Sequence, residues 1–426
     1  MHVASESPTT FARVSVVGLG FVGLPLALAF WRSGYHVTGI DVDTSKLNRL
    51  REGKSYLSSV CNEELAELMA SPAFSVSGNF DAVAETDAVI VCVPTPLNEA
   101  KLPDLKYVTD ACVSISPHLH SNQLFVLESS TYPGTTEDEI IPLLEKSGLR
   151  AGRDFYVAYS PERINPGSDA PLEEIPKVIG GVNDLSLQQA VGLYSRVFHK
   201  LVPVSSLKTA EMTKLVENTQ RFVNISLMNQ LTRLCQTLDV SIWEVIDAAA
   251  TKPYGFTPYY PGPGIGGHCI PVDPLYLQWL ANENGYSLGL VKESQAVNDE
   301  MPSYIADRIL LLAKDKNPRV LIVGVTYKPD VNDIRESASL EVVRQLIERG
   351  VDVDYFDPFV PEIVVPKARL QSVVLSPDAI AGYDAVAVLT AHSAVDYSLL
   401  QSRAKVILDT QNTFRAGDRR ENVVKL

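Results

Sequence analysis

The stretch RVSVVGLGFVG, residues 13–23, decides how the amino-terminal part of this chain folds. An apolar run typical of a buried strand leads into a GxGxxG turn, and a predicted helix, Phe21–Ser33, follows. Glycines in such a turn allow a tight bend, a close approach of the backbone to a pyrophosphate and close packing of helix on strand. The start of the helix offers N–H groups and a positive dipole end to the anion. The pattern predicts a dinucleotide site that includes Gly18, Gly20, Phe21, Val22 and Gly23.

An acidic residue refines this prediction. Asp41 ends the next predicted strand, His36–Asp41, at about the spacing from the glycines at which Rossmann folds carry a ribose-binding acid. Its carboxylate would accept a hydrogen bond from the ribose 2′-hydroxyl and repel a 2′-phosphate, so NAD is favoured over NADP. Lys46, on the following helix, either reaches the ribose or is an ordinary solvated lysine. A glycine turn with a purely structural role is the alternative to the whole site.

Further along the chain, strand and helix patterns continue to alternate. Apolar runs at Ala88–Val93 and Leu124–Ser129 are separated by helical patterns, and FYVAYS and KVIGG extend the series to about residue 205. Such alternation predicts a parallel sheet with helices on both faces. A second series begins with RVLIVGVTYK, residues 319–328, and lacks a GxGxxG. The predicted fold class is α/β, with two doubly wound Rossmann-like domains joined by a long central helix and a helical middle domain.

The helical middle domain is predicted from a change in residue composition and in the spacing of apolar residues. From Ser206 to Asp239 there is no Gly or Pro, and apolar residues recur every three or four positions, which predicts one long helix. A helix of this length joins two domains or forms a dimer core, and we expect a homodimer or higher homo-oligomer. The predicted domains are residues 1–205, which bind the dinucleotide, residues 206–315, which are helical, and residues 316–426, a C-terminal α/β domain.

The composition limits the classes of function. With 426 residues, 46% hydrophobic and 21% charged, the chain has the balance of a globular protein of two or three domains. A formal net charge of −14 argues against general binding to nucleic acid or to an anionic membrane, and we expect neither as a partner. The five cysteines are odd in number and widely spaced, so we expect a cytoplasmic protein without a metal site.

One cysteine lies in a loop too rich in glycine for core packing. Cys269 follows Gly-Gly-His, and Asp273 would lie on the same side of the chain if a helix began near Ile270. A thiolate in such a place is a candidate nucleophile. A buried structural thiol is an equally good interpretation of Cys269 alone, and His268 alone is more often structural than a general base.

A second candidate pair lies on the predicted long helix. Lys214 and Asn218 stand four residues apart and therefore share one helix face. Together they could stabilise an alkoxide or oxyanion. Without further information, a solvated helix face is the better interpretation.

Seven ordered motifs connect these features. They are GLGFVGLP, VPTP, SSTYPGTTE, SPERINPG, KLVEN, PGPGIGGHCIPVDP and YKPDVNDIRES, in this order, and the similarity that they mark extends from about Arg13 to about Asn412. With these motifs the chain resembles the UDP-glucose/GDP-mannose dehydrogenase family. The segments GGHCIPVDP and TKPYGFTPYYPGPG are most similar to the branch that oxidises UDP-N-acetylhexosamines, UDP-N-acetylglucosamine in particular.

The resemblance implies a four-electron oxidation of the sugar C6 alcohol to a carboxylate, with two NAD and one water. In this scheme, Cys269 forms a thiohemiacetal with the intermediate aldehyde and later a thioester that water hydrolyses. Lys214 and Asn218 would hold the developing negative oxygen, and Asp273 would orient water or assist proton transfer. Glu162 matches a glutamate implicated in hydrolysis of the thioester.

The resemblance also assigns binding residues and implies that the C-terminal domain holds the UDP sugar. Thr131 matches a threonine near the nicotinamide and the catalytic water. The other cofactor positions are Pro94, Thr95 and Arg335. The substrate positions are Glu162, Arg163, Lys214, Asn218, Tyr260, Gly262, Gly264, Gly266, Tyr327 and Lys328.

Three positions depart from the glucose-oxidising branch of the family. Pro166 replaces a second glutamate, and Val272 replaces a lysine. Near Lys252 the glucose-oxidising branch has an arginine that reaches the neighbouring subunit's substrate, and whether Lys252 takes its place stays open. Three other functions stay open. They are a UDP-glucose 6-dehydrogenase with the same mechanism, a two-electron β-hydroxyacid dehydrogenase that would not need Cys269, and an NAD-dependent sensor or assembly protein without catalysis.

Overall fold

The computed structural model describes residues 11–57, 60–98, 100–164, 171–267, 269–414 and 421–426. The chain divides into two compact units. The first comprises the chain up to Glu217 together with Leu275–Leu280, and the second comprises Asn218–Pro274 and Ala281–Leu426. Among the described residues, no helix is both long enough and apolar enough to cross a membrane.

The first unit is built on an eight-stranded sheet. Its strands are β1 (Arg13–Val17), β2 (His36–Ile40), β3 (Phe74–Ser77), β4 (Ala88–Val91), β5 (Leu124–Leu127), β6 (Tyr156–Tyr159), β7 (Lys177–Gly181) and β8 (Leu201–Val204). They lie in the order β3-β2-β1-β4-β5-β6-β7-β8. The sheet is parallel except between β6 and β7, where the expectation of a parallel sheet was wrong. For β7 to run parallel to β6, the chain between them would have to cross over the sheet. The described part of the β6–β7 connection contains only a short helical turn, Leu172–Glu174.

Helices cover both faces of this sheet, as predicted. They are α1 (Gly23–Arg32), α2 (Thr44–Arg51), α3 (Asn62–Ala70), α4 (Lys106–Ile115), α5 (Ile141–Leu144) and α6 (Asp184–Tyr194). Side chains alternate along each buried strand, so Leu124 and Val126 enter one hydrophobic cluster while Phe125 and Leu127 enter another. Because both faces are buried, the strands read as continuous apolar runs in the sequence.

The predicted long helix is confirmed as α7 (Leu207–Thr237), with 31 residues. Ser206 precedes it, and its hydroxyl accepts a hydrogen bond from the backbone N–H of Thr209 at 3.1 Å, which is a side-chain cap. The helix runs from the first unit into the second. The helices α8 (Ile242–Ala250), α9 (Asp273–Glu283) and α10 (Gly289–Ala313) follow.

The second unit contains the other predicted α/β fold. Its remaining elements are β9 (Arg319–Val323), α11 (Ala338–Glu348), β10 (Asp352–Phe356), β11 (Glu362–Val365), β12 (Ala368–Gln371), α12 (Pro377–Ala381), β13 (Ala385–Val388), α13 (Tyr397–Arg403), β14 (Ile407–Asp409) and β15 (Val423–Lys425). The main sheet is parallel in the order β10-β9-β13-β14-β15, and β11 and β12 form an antiparallel pair. The chain is therefore an α/β protein with two Rossmann-like sheets.

Candidate functional site

The glycine turn between β1 and α1 has the shape that a pyrophosphate needs. Gly18 has φ +90°, and a Cβ on it would lie 2.9 Å from the carbonyl oxygen of Cys92. A Cβ on Gly23 would lie 1.9 Å from the carbonyl oxygen of Gly18, so helix and strand approach too closely for any side chain. Gly20, by contrast, has open space around its Cβ position. No side chain caps the start of α1, so the turn fits a dinucleotide phosphate.

Asp41 lies beside this turn at the end of β2 and is buried. Its Oδ2 accepts hydrogen bonds from the backbone N–H of Leu19 at 2.9 Å and from Lys46 Nζ at 3.2 Å. Its Oδ1 accepts the N–H of Asp43 at 2.9 Å. The structure therefore brings Asp41 and Lys46 together and orients the carboxylate against the turn, where a ribose hydroxyl would be recognised.

The loop after β4 contains the two other predicted cofactor residues, Pro94 and Thr95. Pro94 is exposed and Thr95 is buried. The hydroxyl of Tyr276, on α9, donates to the carbonyl oxygens of Thr95 at 2.8 Å and Pro96 at 3.0 Å. Tyr276 is fully buried and fixes this loop. Sequence reasoning missed it, because only its place in an apolar helix pattern marks it.

Thr131 lies in the loop that follows β5. Its side chain is buried, and its Oγ1 has no hydrogen-bond partner among the residues that the structure describes. The same loop is held by Glu211 of α7, whose carboxylate accepts from the backbone N–H of Gly134 at 2.7 Å and from the N–H and Oγ1 of Thr136 at 2.9 and 2.6 Å. Burial raises the pKa of Glu211 to about 7, although these donors oppose the rise. Sequence reasoning also missed Glu211.

The loop after β6 carries Glu162 and Arg163, and α7 holds it in the same way. Lys214 is buried, and its Nζ donates to the carbonyl oxygen of Glu162 at 2.7 Å. Arg163 forms a two-point pair with Glu217, with N–O distances of 3.1 and 2.6 Å. One face of α7 thus anchors both strand-end loops through Glu211, Lys214 and Glu217. The interpretation of Lys214 as a solvated lysine was wrong.

In the second unit, Cys269 opens a turn that leads directly into α9. The backbone N–H groups of Val272 and Asp273 donate to the carbonyl oxygen of Cys269 at 3.2 and 2.9 Å. The helix begins at Asp273, later than the predicted start near Ile270. Asp273 is buried, and its Oδ2 accepts the amide of Asn218 at 2.6 Å. The structure brings the predicted Asp273 and Asn218 together, and Asp273 lies four residues after the half-buried Cys269.

Two glycines before the cysteine make room for an aromatic ring. Cβ atoms on Gly266 and Gly267 would lie 2.9 Å from Cβ and 2.8 Å from Cε2 of Tyr327, respectively. The backbone N–H of Gly267 donates to the carbonyl oxygen of Arg335 at 3.3 Å. The Arg335 guanidinium binds both carboxylate oxygens of Asp333, and this bond, more than the charge of nearby Cys269, raises the pKa of Arg335. A guanidinium near a cysteine favours the reactive thiolate.

The loop Tyr260–Gly264 is tied down by two asparagines that sequence reasoning missed. Asn229 of α7 accepts the backbone N–H of Gly262 at 2.9 Å, and Asn298 of α10 accepts that of Ile265 at 2.7 Å. Gly264 has φ +141°, where a Cβ would lie 2.8 Å from Ala338. Tyr260 stacks on Trp243 with ring centroids 5.9 Å apart. A polar residue within an apolar helix pattern is the signal that could have identified both asparagines.

Lys328 lies in a partly buried, cationic part of the second unit. Burial lowers its pKa, and repulsion by Arg221 lowers it further. Two neighbouring cations that disfavour each other's charge are suited to an anionic ligand between them. Arg221 is a residue that the sequence analysis did not select.

His268 and Pro166 lie outside the described residues, and the ammonium of Lys252 lies 5.2 Å from the ring centroid of Tyr254.

Comparison with known proteins decides the family. Residues 12–198, 208–300 and 321–416 match the NAD-binding, central and UDP-binding domains of the UDP-glucose/GDP-mannose dehydrogenase family. The chain belongs to this family. It is 37% identical over 359 residues to UDP-N-acetyl-D-glucosamine 6-dehydrogenase of Pseudomonas aeruginosa, which covers 82% of this chain and 83% of the relative.

Two further relatives extend over nearly the whole chain. UDP-N-acetyl-D-mannosamine dehydrogenase of Methanocaldococcus jannaschii is 34% identical over 415 residues, with 94% of this chain and 92% of the relative covered. The structure of UDP-D-ManNAc dehydrogenase from Pyrococcus horikoshii superposes with a TM-score of 0.86 at 30% identity, over 97% of this chain and 98% of the other.

Family membership confirms several predictions. The chain is an NAD-dependent nucleotide-sugar dehydrogenase, NAD is its cofactor and a UDP sugar is its substrate class. The roles of individual site residues stay predictions, as do the domain limits at 1–205, 206–315 and 316–426 and the homodimer.

Proposed function

We propose that this enzyme oxidises C6 of UDP-N-acetylglucosamine, or of a closely related UDP-N-acetylhexosamine, from the alcohol to the carboxylate. Each turnover consumes two NAD and one water and releases two NADH and protons. The turn from Cys269 into α9, with Asp273 bonded to Asn218, carries this proposal. A two-electron oxidation would have no use for a cysteine at this position. Relatives named for UDP-N-acetylglucosamine and UDP-N-acetylmannosamine support the N-acetylhexosamine class.

The glycine turn, Asp41 and the loop at Thr95 would hold NAD, which supplies the hydride acceptor when it is bound. Cys269 has the central chemical role. Its thiolate forms a C–S bond with the aldehyde carbon, and the resulting thiohemiacetal keeps the hydrogen that the second oxidation removes. Oxidation leaves a thioester, and attack by water then breaks the C–S bond and restores the thiolate. Arg335, whose guanidinium is bonded to Asp333, would lie near this sulfur.

The remaining residues would manage charge and water. Lys214 and Asn218, one turn apart on α7, would hold the oxygen that becomes negative in the tetrahedral states. Asp273, oriented by Asn218, would accept a proton. Glu162 would assist the water that hydrolyses the thioester, and the buried Oγ1 of Thr131, which has no partner among the described residues, would help to hold that water.

The second unit would bind the nucleotide sugar. Lys328 and Arg221 would neutralise the diphosphate, and Tyr260 would cover an apolar part of the ligand. Backbone N–H groups of the loop up to Gly264 would supply further donors. The two asparagines that hold this loop, Asn229 and Asn298, would set its shape before the ligand binds.

The decisive experiment counts NADH formed per UDP sugar consumed. A panel of UDP-N-acetylglucosamine, UDP-N-acetylmannosamine, UDP-N-acetylgalactosamine, UDP-glucose and GDP-mannose identifies the substrate. About two NADH per sugar supports the thioester route. One NADH per sugar would contradict it and favour a simple two-electron dehydrogenase, and no turnover with any sugar would favour a non-catalytic NAD-binding protein.

Replacement of the nucleophile tests the covalent step directly. We expect Cys269→Ser to lower the rate of carboxylate formation at least about 1000-fold, while NAD affinity and thermal stability are retained. Cys61→Ser is the matched control, because Cys61 is an exposed thiol at the start of α3. Mass spectrometry of quenched enzyme should detect the sugar adduct on the unsubstituted protein and on Cys61→Ser, and not on Cys269→Ser. Normal uronate production by Cys269→Ser would refute covalent catalysis.

A further inference from the structure

Behind Glu162, the first unit buries one lysine between two carboxylates. Lys177 Nζ donates to Glu128 Oε2 at 2.7 Å and lies 3.6 Å from Glu162 Oε2. The exposed fractions of the three side chains are 4%, 0% and 5%. The chain positions are distant, on β7, at the end of β5 and after β6, so only folding assembles this group. We call these three residues the buried triad.

The two carboxylates of the buried triad have unequal surroundings. Glu128 is fully engaged, because the hydroxyl of Tyr194 donates to its other oxygen. Glu162 Oε1 accepts two backbone N–H groups, but its Oε2 is buried and has no hydrogen-bond partner in the described part of the chain. The charged and titratable groups around Glu162 are Lys177, Glu128, Tyr194, Cys92, Arg163 and Lys214.

The charge balance of the buried triad makes its members depend on one another. Burial raises the pKa of Glu128, and the negative charge of Glu162 adds to that rise while Lys177 opposes it. The pKa of Lys177 is raised because attraction by both carboxylates outweighs burial. The ammonium also lies over the rings of Tyr194 and Phe198, at 5.3 and 5.1 Å from their centroids. One buried cation cannot fully balance two carboxylates, so each affects the ionisation of the other.

We propose that Lys177 and Glu128 are positioning residues that set the pH range in which Glu162 is ionised and active. The proposal rests on the proposed role of Glu162 in thioester hydrolysis. Lys177 favours the carboxylate of Glu162 by its positive charge, and Glu128 weakens this effect because it shares the same lysine. The two residues therefore act on Glu162 in opposite directions.

Opposite shifts in the pH dependence of hydrolysis are the signature of this arrangement. Lys177→Met removes the shared cation and leaves two buried carboxyl groups without it, so the acid limb of the pH profile should move to higher pH. Glu128→Gln keeps the shape and an acceptor for Lys177, whose charge then serves Glu162 alone, so the acid limb should move to lower pH. Each shift should be about one pH unit or more, as expected for a charge within 4–6 Å.

The measurement follows the thioester on Cys269 in a single turnover with UDP-N-acetylglucosamine or the panel sugar that turns over best. Quenched samples analysed by mass spectrometry give the hydrolysis rate at each pH. Lys208→Met and Glu137→Gln are the matched controls, because this pair lies 2.9 Å apart on the surface and changes the charge equally. Their profiles should coincide with that of the unsubstituted enzyme. Partial unfolding of the variants would not move the acid limb of the pH profile in opposite directions in Lys177→Met and Glu128→Gln.

Unshifted profiles, or shifts of the same sign in both variants, would overturn the proposal. If Lys177→Met does not fold, Glu128→Gln alone decides, since a shift to higher pH or no shift contradicts the model. An infrared titration of the carboxyl bands, without NAD or substrate, tests the same coupling independently of turnover. If the unsubstituted enzyme oxidises no sugar, the proposed function fails, while the infrared shifts still decide whether the buried triad is coupled.

Discussion

The two Rossmann-like sheets begin with the same turn but differ in what the turn can bind. In the first, the N–H of Gly18 donates to the carbonyl of Ile40 at 2.7 Å, and the next N–H, of Leu19, donates to Asp41 at 2.9 Å. In the second, the N–H of Gly324 donates to the carbonyl of Phe356 at 2.9 Å, and the next N–H, of Val325, donates to Asp357 at 2.8 Å. An acidic residue at the end of the second strand thus holds the turn in both.

The difference lies beyond this shared frame. The first turn continues to Gly20, which has open space beside it. In the second, a Cβ on Gly324 would lie 2.2 Å from the carbonyl oxygen of Thr390, and buried His392 bonds to Asp357 at 2.9 Å. The arrangement that both sheets share, a strand, a glycine turn and an acidic residue that accepts an N–H of the turn, therefore stabilises the fold and does not by itself make a dinucleotide site. A dinucleotide site also needs an open glycine surface and an acid that is not occupied by a buried partner.

Gly324→Ala should have the largest effect on this comparison. The new Cβ meets backbone and the φ of +84° is unfavourable for a side chain, so the free energy of unfolding should fall by about 4 kcal/mol. Chemical denaturation checks this, and NAD titration of the folded fraction should give an unchanged affinity. Gly350→Ala, which shares a positive φ but meets no atoms within 4 Å, is the control for backbone strain alone. Equal losses in both variants would show that packing against Thr390 contributes nothing.

Gly20→Val should show the reverse pattern. The side chain enters open space, so thermal stability should be nearly unchanged, while the NAD dissociation constant should rise about 100-fold because the pyrophosphate loses its close approach. Isothermal titration calorimetry with NAD and with UDP separates the two ligands, and UDP affinity should be retained. A variant that binds NAD normally would show that the open glycine surface is not the phosphate site.

The smallest expected effect concerns pH, and its sign differs between the units. The pKa of the Glu211 carboxyl is raised from about 4.5 in the unfolded chain to about 7 in the folded protein. The contribution of Glu211 to the free energy of unfolding should therefore fall as the pH rises from about 4.5 to about 7. The pKa of Asp357 is lowered: burial opposes this, but the bonds from His392 and the backbone outweigh it, so its contribution should be lost as pH falls below about 4. The slope for one group is at most about 1.4 kcal/mol per pH unit.

Hydrogen exchange measured by mass spectrometry can follow the two sites separately. Peptides around Gly134 should open more readily as pH approaches 7, after correction for intrinsic exchange, and Glu211→Gln should remove that dependence. Peptides around Val325 should open more readily only in acid. The same pH response at both sites would contradict the opposite environments of the two carboxyls.

Much of the fold and part of the site could be predicted because their signals are local. The glycine turn, the position of Asp41 and the length of α7 follow from spacing, periodicity and the lack of helix breakers. The antiparallel pair β6 and β7 was missed, since strand direction depends on how the connection returns and not on the strand residues. The start of α9 was placed too early, because the turn at Cys269 is stabilised by the backbone without a side-chain signal.

Local sequence was thus enough to identify an α/β nucleotide-sugar dehydrogenase and its cofactor and to single out Cys269 as a candidate nucleophile, because turns, helix faces and family motifs are read within a few residues. Folding alone decided which groups share charge and hydrogen bonds. Asn218 meets Asp273 across 55 positions, and Lys177 meets Glu128 across 49. Such contacts depend on which helices and strands become neighbours in the fold, and burial then sets the strength of each charge, so no stretch of sequence contains them.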